Sequence, residues 1–214
     1  MSAMFLATRT RPDILKECVH MASASLQPGP VAFRKLQRVY QYLLGTSDLG
    51  ITLGTSTPKL ALFCDAAYAV HNNGRSHTGI LVSFDGYTGP ILVKSHAQKL
   101  VTLSSTEAEL VAVVDGLKRV MTLQALLTEL GLVSDEPVIV HQDNKSTIHI
   151  LHNGEGYSGK NRHMRVRFGF VKDLIDDNSI AVAHLPTEEM IADLLTKPMG
   201  GNLFRYLRSK ILNM

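Results

Sequence analysis

A long amphipathic helix set between strand-like runs constrains this chain more than any other feature. From Leu110 onward, Val113, Val114, Leu117, Met121 and Leu127 recur at i, i+3 and i+4, with Gln124 on the same line. Gly131 closes the helix. Before it, Lys59 to Ala69, Gly79 to Phe84 and Ile91 to His96 read as strands, separated by Asn72-Asn73-Gly74 and Asp85-Gly86 turn signals. After it comes the short apolar strand Val138-Ile139-Val140-His141. A strand, a helical crossover and a further strand favour parallel pairing with a right-handed connection. The expected fold is therefore α/β, a mixed sheet with helices packed on it.

The remaining segments extend this pattern. Gln27-Pro28-Gly29-Pro30 breaks the first 58 residues into two helices, the second running from Val31 to Leu44 and closed by Gly45. That second helix sets Arg34, Lys35 and Arg38 beside Leu36, Val39, Tyr40 and Leu43, giving one packed and one basic face. Downstream, a helix Lys145 to Leu151, a polar loop Asn153 to Lys160, a helix Arg162 to Asp176, a strand Ile180 to Leu185 and a helix Glu188 to Leu195 follow in turn. A last amphipathic piece spans Leu203 to Leu212. The order is βββ-α-β-α-α-β-α behind a helical pair. Residues 1–58, 59–200 and 201–214 form the expected units.

With 214 residues, 45% of them hydrophobic, the chain can bury a proper core. A formal charge of +3 and a pI near 8.9 leave any attraction to nucleic acid to local clusters of charge. Cys18 and Cys64 lie far apart without a C-x-x-C pattern, which fits reduced thiols inside a cell and excludes a zinc ribbon. Met1 to Ala7 lacks the features of a secretory signal, and no apolar run reaches 18 residues. Neither secretion nor membrane insertion is expected.

Four acids sit where a core element does not favour a charge. Asp65 interrupts the apolar run Leu60-Ala61-Leu62-Phe63-Cys64, and an unpaired buried carboxylate is costly. Asp143 ends a predicted parallel strand, the place where open sheets hold ligands. Asp193 follows the last strand. The start of the long helix supplies the remaining one, but Ser104 with Glu107 and Thr106 with Glu109 both fit a capping box. One glutamate is surplus to capping, and helical phase does not choose between them. Carboxylates without His or Cys partners suit hard divalent cations, and two such ions can activate a water and stabilise the leaving oxygen of a phosphodiester.

Three ordered motifs carry a resemblance: Thr102-Leu103-Ser104-Ser105-Thr106-Glu107-Ala108-Glu109, then Gln142-Asp143-Asn144-Lys145-Ser146, then Leu185 to Pro198 with Ala192-Asp193-Leu194-Leu195-Thr196-Lys197 at its centre. Together they resemble the ribonuclease H domain of copia-type LTR retrotransposon polyproteins. Upstream, Thr10-Arg11-Pro12-Asp13-Ile14 and Tyr42-Leu43-Leu44-Gly45-Thr46 are similar to the end of the reverse transcriptase segment joined to it. The resemblance implies a ribonuclease H-like five-stranded sheet and hydrolysis of RNA in RNA/DNA hybrids. It also implies two magnesium ions, with manganese as a substitute, and a polymerase region as partner in cis or in trans. The setting would be the cytoplasm or virus-like particles. It assigns Asp65, Glu109, Asp143 and Asp193 as catalytic metal ligands, because Glu109-Leu110-Val111-Ala112 matches the family's acid-Leu-x-Ala pattern, and leaves Glu107 as the cap.

Ser105, Asn144, Lys145 and Ser146 lie inside the motifs and are candidate nucleic-acid contacts. The basic run Lys160, Arg162, His163, Arg165 and Arg167 offers phosphate contacts that need no particular sequence. Two departures mark the first motif, where Ala67 and Val70 replace the family's second acid and glycine. They favour an alternative, a catalytically impaired or repurposed module that binds nucleic acid or a polymerase. His184 falls on a predicted strand and reads as a core or edge residue. His149 and His152 have helical spacing but lack a third zinc ligand.

Overall fold

The computed structural model describes residues 2–26, 28–54, 59–84, 88–133, 136–153 and 162–214. The Asp85-Gly86 turn, the polar loop 154–160 and the candidate contact Lys160 lie outside the described residues. Five strands form one mixed sheet in the order β3-β2-β1-β4-β5. They are β1 Leu60–Ala67, β2 His77–Phe84, β3 Pro90–Ala97, β4 Val138–Gln142 and β5 Ile180–His184. The first three make an antiparallel meander, while β4 runs parallel to both β1 and β5. Gly74 takes a left-handed φ of 71° in the β1–β2 turn, as the Asn-Asn-Gly signal requires.

The sheet is covered on both faces, which explains why β1 and β2 read as nearly unbroken apolar runs. On one face lies α4 (Ser105–Glu129), with α5 (Lys145–Asn153) and α6 (Arg162–Asp176) beside it. Leu110, Val113, Val114 and Leu117 of α4 pack with Leu62, Cys64, Ile80 and Val140 of the strands. Ser104 caps α4, its Oγ accepting the Glu107 N–H at 3.1 Å, and Glu107 Oε2 reaches back to the Leu103 N–H at 2.8 Å. At the other end Gly131, with a φ of 67°, terminates the helix as its glycine signal predicts.

The second face is covered by the N-terminal and C-terminal segments together. A short helix α1 (Ser2–Arg9), beyond the expected pair, precedes α2 (Leu15–Ser23) and α3 (Pro30–Leu44). Ala7, Leu15 and Cys18 share a core with Phe63 and Leu81 of the sheet and with Leu207 and Ile211 of α7 (Gly201–Leu212). A buried polar knot ties these pieces together. Arg11 makes a two-pronged bond to Asp13 at 3.0 and 2.8 Å, the Tyr42 hydroxyl also donates to Asp13, and Arg208 donates to Tyr42. On α3 only Val39 is fully buried, and Tyr40, expected on the packed face, is 44% exposed.

The expected helix Glu188 to Leu195 is two short 3-10 turns, Thr187–Glu189 and Ile191–Leu195. The second is buried throughout and lies against β1 and β2. Gly79 makes this approach feasible. A Cβ there would come within 2.8 Å of the Ala192 carbonyl oxygen, the Leu195 Cβ and the Thr196 Cγ2. Two of these belong to the backbone or its first side-chain atom, so they cannot rotate away. Gly79→Ala is expected to destabilise the fold by about 1–3 kcal/mol through overpacking. Urea denaturation reads this directly, and an unchanged midpoint would show that the turn can lift off the sheet at no cost.

Candidate metal centre

Strand register brings the first two acids level. Phe63 of β1 stands opposite His141 of β4, and the two rings stack with centroids 4.4 Å apart. Two residues further along each parallel strand come Asp65 and Asp143, so both carboxylates leave the same end of the sheet. Glu109, in the second turn of α4, reaches the same place from above. Carboxylate oxygens of Asp65, Glu109 and Asp143 lie within 4.8 Å of one another, the only such group of three or more His, Cys, Asp or Glu residues among the described residues. Asp65 and Glu109 are buried, and Asp143 is partly open.

Neutral donors hold the glutamate and Asp143 in place. The Ala66 N–H donates to Glu109 Oε1 and the Gln142 side-chain amide to Oε2, each at 3.3 Å. Gln142 is itself oriented by the N–H groups of Asp143 and Asn144, which donate to its Oε1 at 2.9 and 3.1 Å. The Thr187 hydroxyl donates to Asp143 Oδ2 at 2.9 Å. Burial, reinforced by the nearby Asp65 and Asp143 charges, pushes the Glu109 pKa well above the usual carboxylate range despite the Gln142 hydrogen bond. Of the three converging carboxylates, Asp65 is paired with the Lys197 ammonium at 3.0 Å. Such a set of oxygen donors is compatible with a hard dication.

Asp193 is buried and falls outside the 4.8 Å triad, linked to it through Lys197. The Lys197 ammonium donates to Asp193 Oδ1 at 2.8 Å and to Asp65 Oδ1 at 3.0 Å. The Thr196 hydroxyl makes a short hydrogen bond to the other oxygen of Asp65. Burial and the Asp65 charge push the Asp193 pKa up to about 7, with Lys197 pulling the other way. Neither Thr196, Lys197 nor Gln142 was assigned a role from the sequence, although all three lie within its motifs. A signal for Lys197 was present, since a lysine four residues after an aspartate is placed to pair with it on a helical turn. Gly79 carried one too, as an isolated glycine inside a strand marks a close approach.

The candidate nucleic-acid contacts divide by location. Ser105 opens α4 and is exposed, as are Lys145 and Ser146 at the start of α5. Asn144 caps α5, its Oδ1 accepting the Thr147 N–H at 3.1 Å. On α6, Met164 and Val171 face the core while Arg162, His163 and Arg165 are exposed and Arg167 is partly so. His184 ends the edge strand β5 and is exposed, so of the two expected settings it occupies the edge. Cys18 and Cys64 are buried free thiols. Among the described residues no helix is long and apolar enough to cross a membrane.

No family model matches the chain. It is 34% identical over 212 residues to the retrovirus-related Pol polyprotein from transposon TNT 1-94 of Nicotiana tabacum, which covers 98% of this chain and 16% of that protein. With the retrovirus-related Pol polyprotein from transposon RE1 of Arabidopsis thaliana it shares 30% identity over 203 residues, 94% of this chain and 14% of that one. The chain thus spans about one sixth of the length of the curated relatives it matches. Among solved structures, LC11-RNase H1, isolated from compost, superimposes with a TM-score of 0.51 at 18% identity over 65% of this chain and 94% of its own. That likeness is one of fold.

Proposed function

Because this chain belongs to the copia-type retrotransposon Pol polyproteins, as a segment with the ribonuclease H fold, we propose that it is a metal-dependent endonuclease hydrolysing the RNA strand of RNA/DNA hybrids. The observation that carries this reading is the convergence of Asp65, Glu109 and Asp143 within 4.8 Å at one end of the sheet. Magnesium, or manganese in its place, would supply an activated water and neutralise charge on the leaving oxygen. Asp65, Glu109 and Asp143 would hold the metal, with Asp193 as a further carboxylate ligand. Gln142 and Ala66 fix the direction of the Glu109 carboxylate, so its ligand atoms need little reorganisation. Ser105, Asn144, Lys145 and Ser146 would line the approach to the cluster. Arg162, His163, Arg165 and Arg167 would neutralise phosphates, giving affinity that falls as salt rises. A polymerase region, in cis or in trans within the cell, would deliver the hybrid during reverse transcription.

The direct test incubates the full chain with an RNA/DNA hybrid labelled on each strand, in magnesium or in EDTA, beside matched duplex DNA. Cleavage of the RNA strand alone, only in the hybrid and only with magnesium, is expected. Hybrid binding without cleavage would instead favour the impaired module to which Ala67 points. Cutting or joining of duplex DNA would identify a strand-transfer nuclease.

A further inference from the structure

The two halves of the acidic centre are built differently. Glu109 and Asp143 accept hydrogen bonds from neutral donors, the Gln142 amide, the Ala66 N–H and the Thr187 hydroxyl. Asp65 and Asp193 are bridged by a positive charge that belongs to the chain. Lys197 uses one oxygen of each, Oδ1 in both cases, and Thr196 engages the remaining oxygen of Asp65. A divalent ion linking Asp65 to Asp193 would need the space and the lone pairs that the ammonium occupies. Close-packed magnesium–oxygen distances of about 2.0–2.1 Å leave no room for both, and the two cations repel.

Lys197 is held in this position from both ends. Its backbone N–H donates to the Asp193 carbonyl at 2.9 Å, which fixes the chain on the 3-10 turn that Gly79 lets settle onto the sheet. Its side chain is 37% exposed, so the stem can swing out to solvent if something displaces the ammonium.

We propose that Lys197 is a tethered cation standing in the second metal position. Without nucleic acid the chain takes one divalent ion, on Asp65, Glu109 and Asp143, and a second enters only by displacing the ammonium. Lys197 is in this sense a positioning residue, holding Asp65 and Asp193 bridged and charge-balanced until a hybrid arrives. The proposal rests on the reading of the triad as a metal site.

Manganese titration of the full chain, followed by the electron paramagnetic resonance of the free ion and with no nucleic acid present, tests it by counting. Wild type is expected to bind one Mn2+ per chain, Lys197→Arg also one, and Lys197→Met two. Should Lys197→Met fail to fold by circular dichroism, Lys197→Gln, which keeps a polar side chain facing the two carboxylates, takes its place with the same expected count. Two ions on the wild type, or one on each neutral variant, would overturn the role of Lys197 while leaving the triad intact. No manganese on any of these proteins would remove the triad reading and this proposal with it.

Discussion

Glu109→Gln is expected to reduce magnesium-dependent hybrid cleavage by at least about 10^3-fold, with the fold unchanged. A single preorganised electrostatic group is typically worth about 10^2–10^3 in rate, and a ligand of the metal carries more than the groups that orient it. Glutamine keeps the shape of the glutamate and can still accept one of the two hydrogen bonds, from Ala66 or from Gln142, that Glu109 accepts. It removes the charge that would face the ion. The substitution also relieves the repulsion that burial and the Asp65 and Asp143 charges impose on Glu109, so thermal stability without metal should hold or rise. Asp143→Asn is expected to act in the same direction. Activity and melting temperature measured on the same samples therefore move in opposite directions. Retained magnesium-dependent cleavage in Glu109→Gln or Asp143→Asn would mean that the triad does not carry the chemistry.

The second large effect is on stability. Without metal, the melting temperature is expected to fall between pH 5.5 and pH 8, and magnesium at pH 8 should restore it. The sign follows from the direction of the shifts. Glu109 and Asp193 have pKa values raised above their unfolded ones, so the native state holds more protons and loses that advantage as pH climbs through the raised values. For Asp193, buried and moved from an ordinary 3.8 to about 7, the loss accrues from the unfolded value upward, and the part that falls between pH 5.5 and pH 8 is about 2 kcal/mol. In a chain of this size that corresponds to roughly 4–8 °C. An ion at a hundred times its dissociation constant returns about 2.7 kcal/mol. A melting temperature flat across this range, and unmoved by magnesium, would show that the carboxylates are already compensated by the chain itself.

Much of this site can be read from residues alone because several of its parts obey local rules. The α4 cap is local: Ser104 accepts from the N–H three residues ahead and Glu107 reaches back, as hydroxyl–acid spacing predicts. The position of Asp65 within an apolar strand and of Asp143 at a strand end is likewise visible without coordinates, since burying a charge is expensive enough to mark the place. The 3-10 turns at Thr187–Glu189 and Ile191–Leu195 were less legible. Five consecutive buried residues, Ile191 to Leu195, give no amphipathic period to distinguish a helix from a turn pressed flat between other elements. The basic run from Arg162 to Arg167 is legible as clustered charge on a predicted helix, whereas Tyr40 was misplaced because α3 buries only a narrow strip.

Sequence by itself determined the order of the five strands, the start of α4 and the surplus carboxylate near it, because each depends on neighbours within a few residues. Tertiary structure decided which acids meet. The Phe63–His141 register levels Asp65 with Asp143, α4 enters at the phase that turns Glu109 inward, and Lys197 ties Asp193 to Asp65. These outcomes depend on parallel pairing and on the depth to which Gly79 admits a distant turn, contacts between residues up to 132 positions apart. Local periodicity carries no record of such contacts, because hydrophobic burial fixes which face of an element points inward but not which distant side chain it will find there.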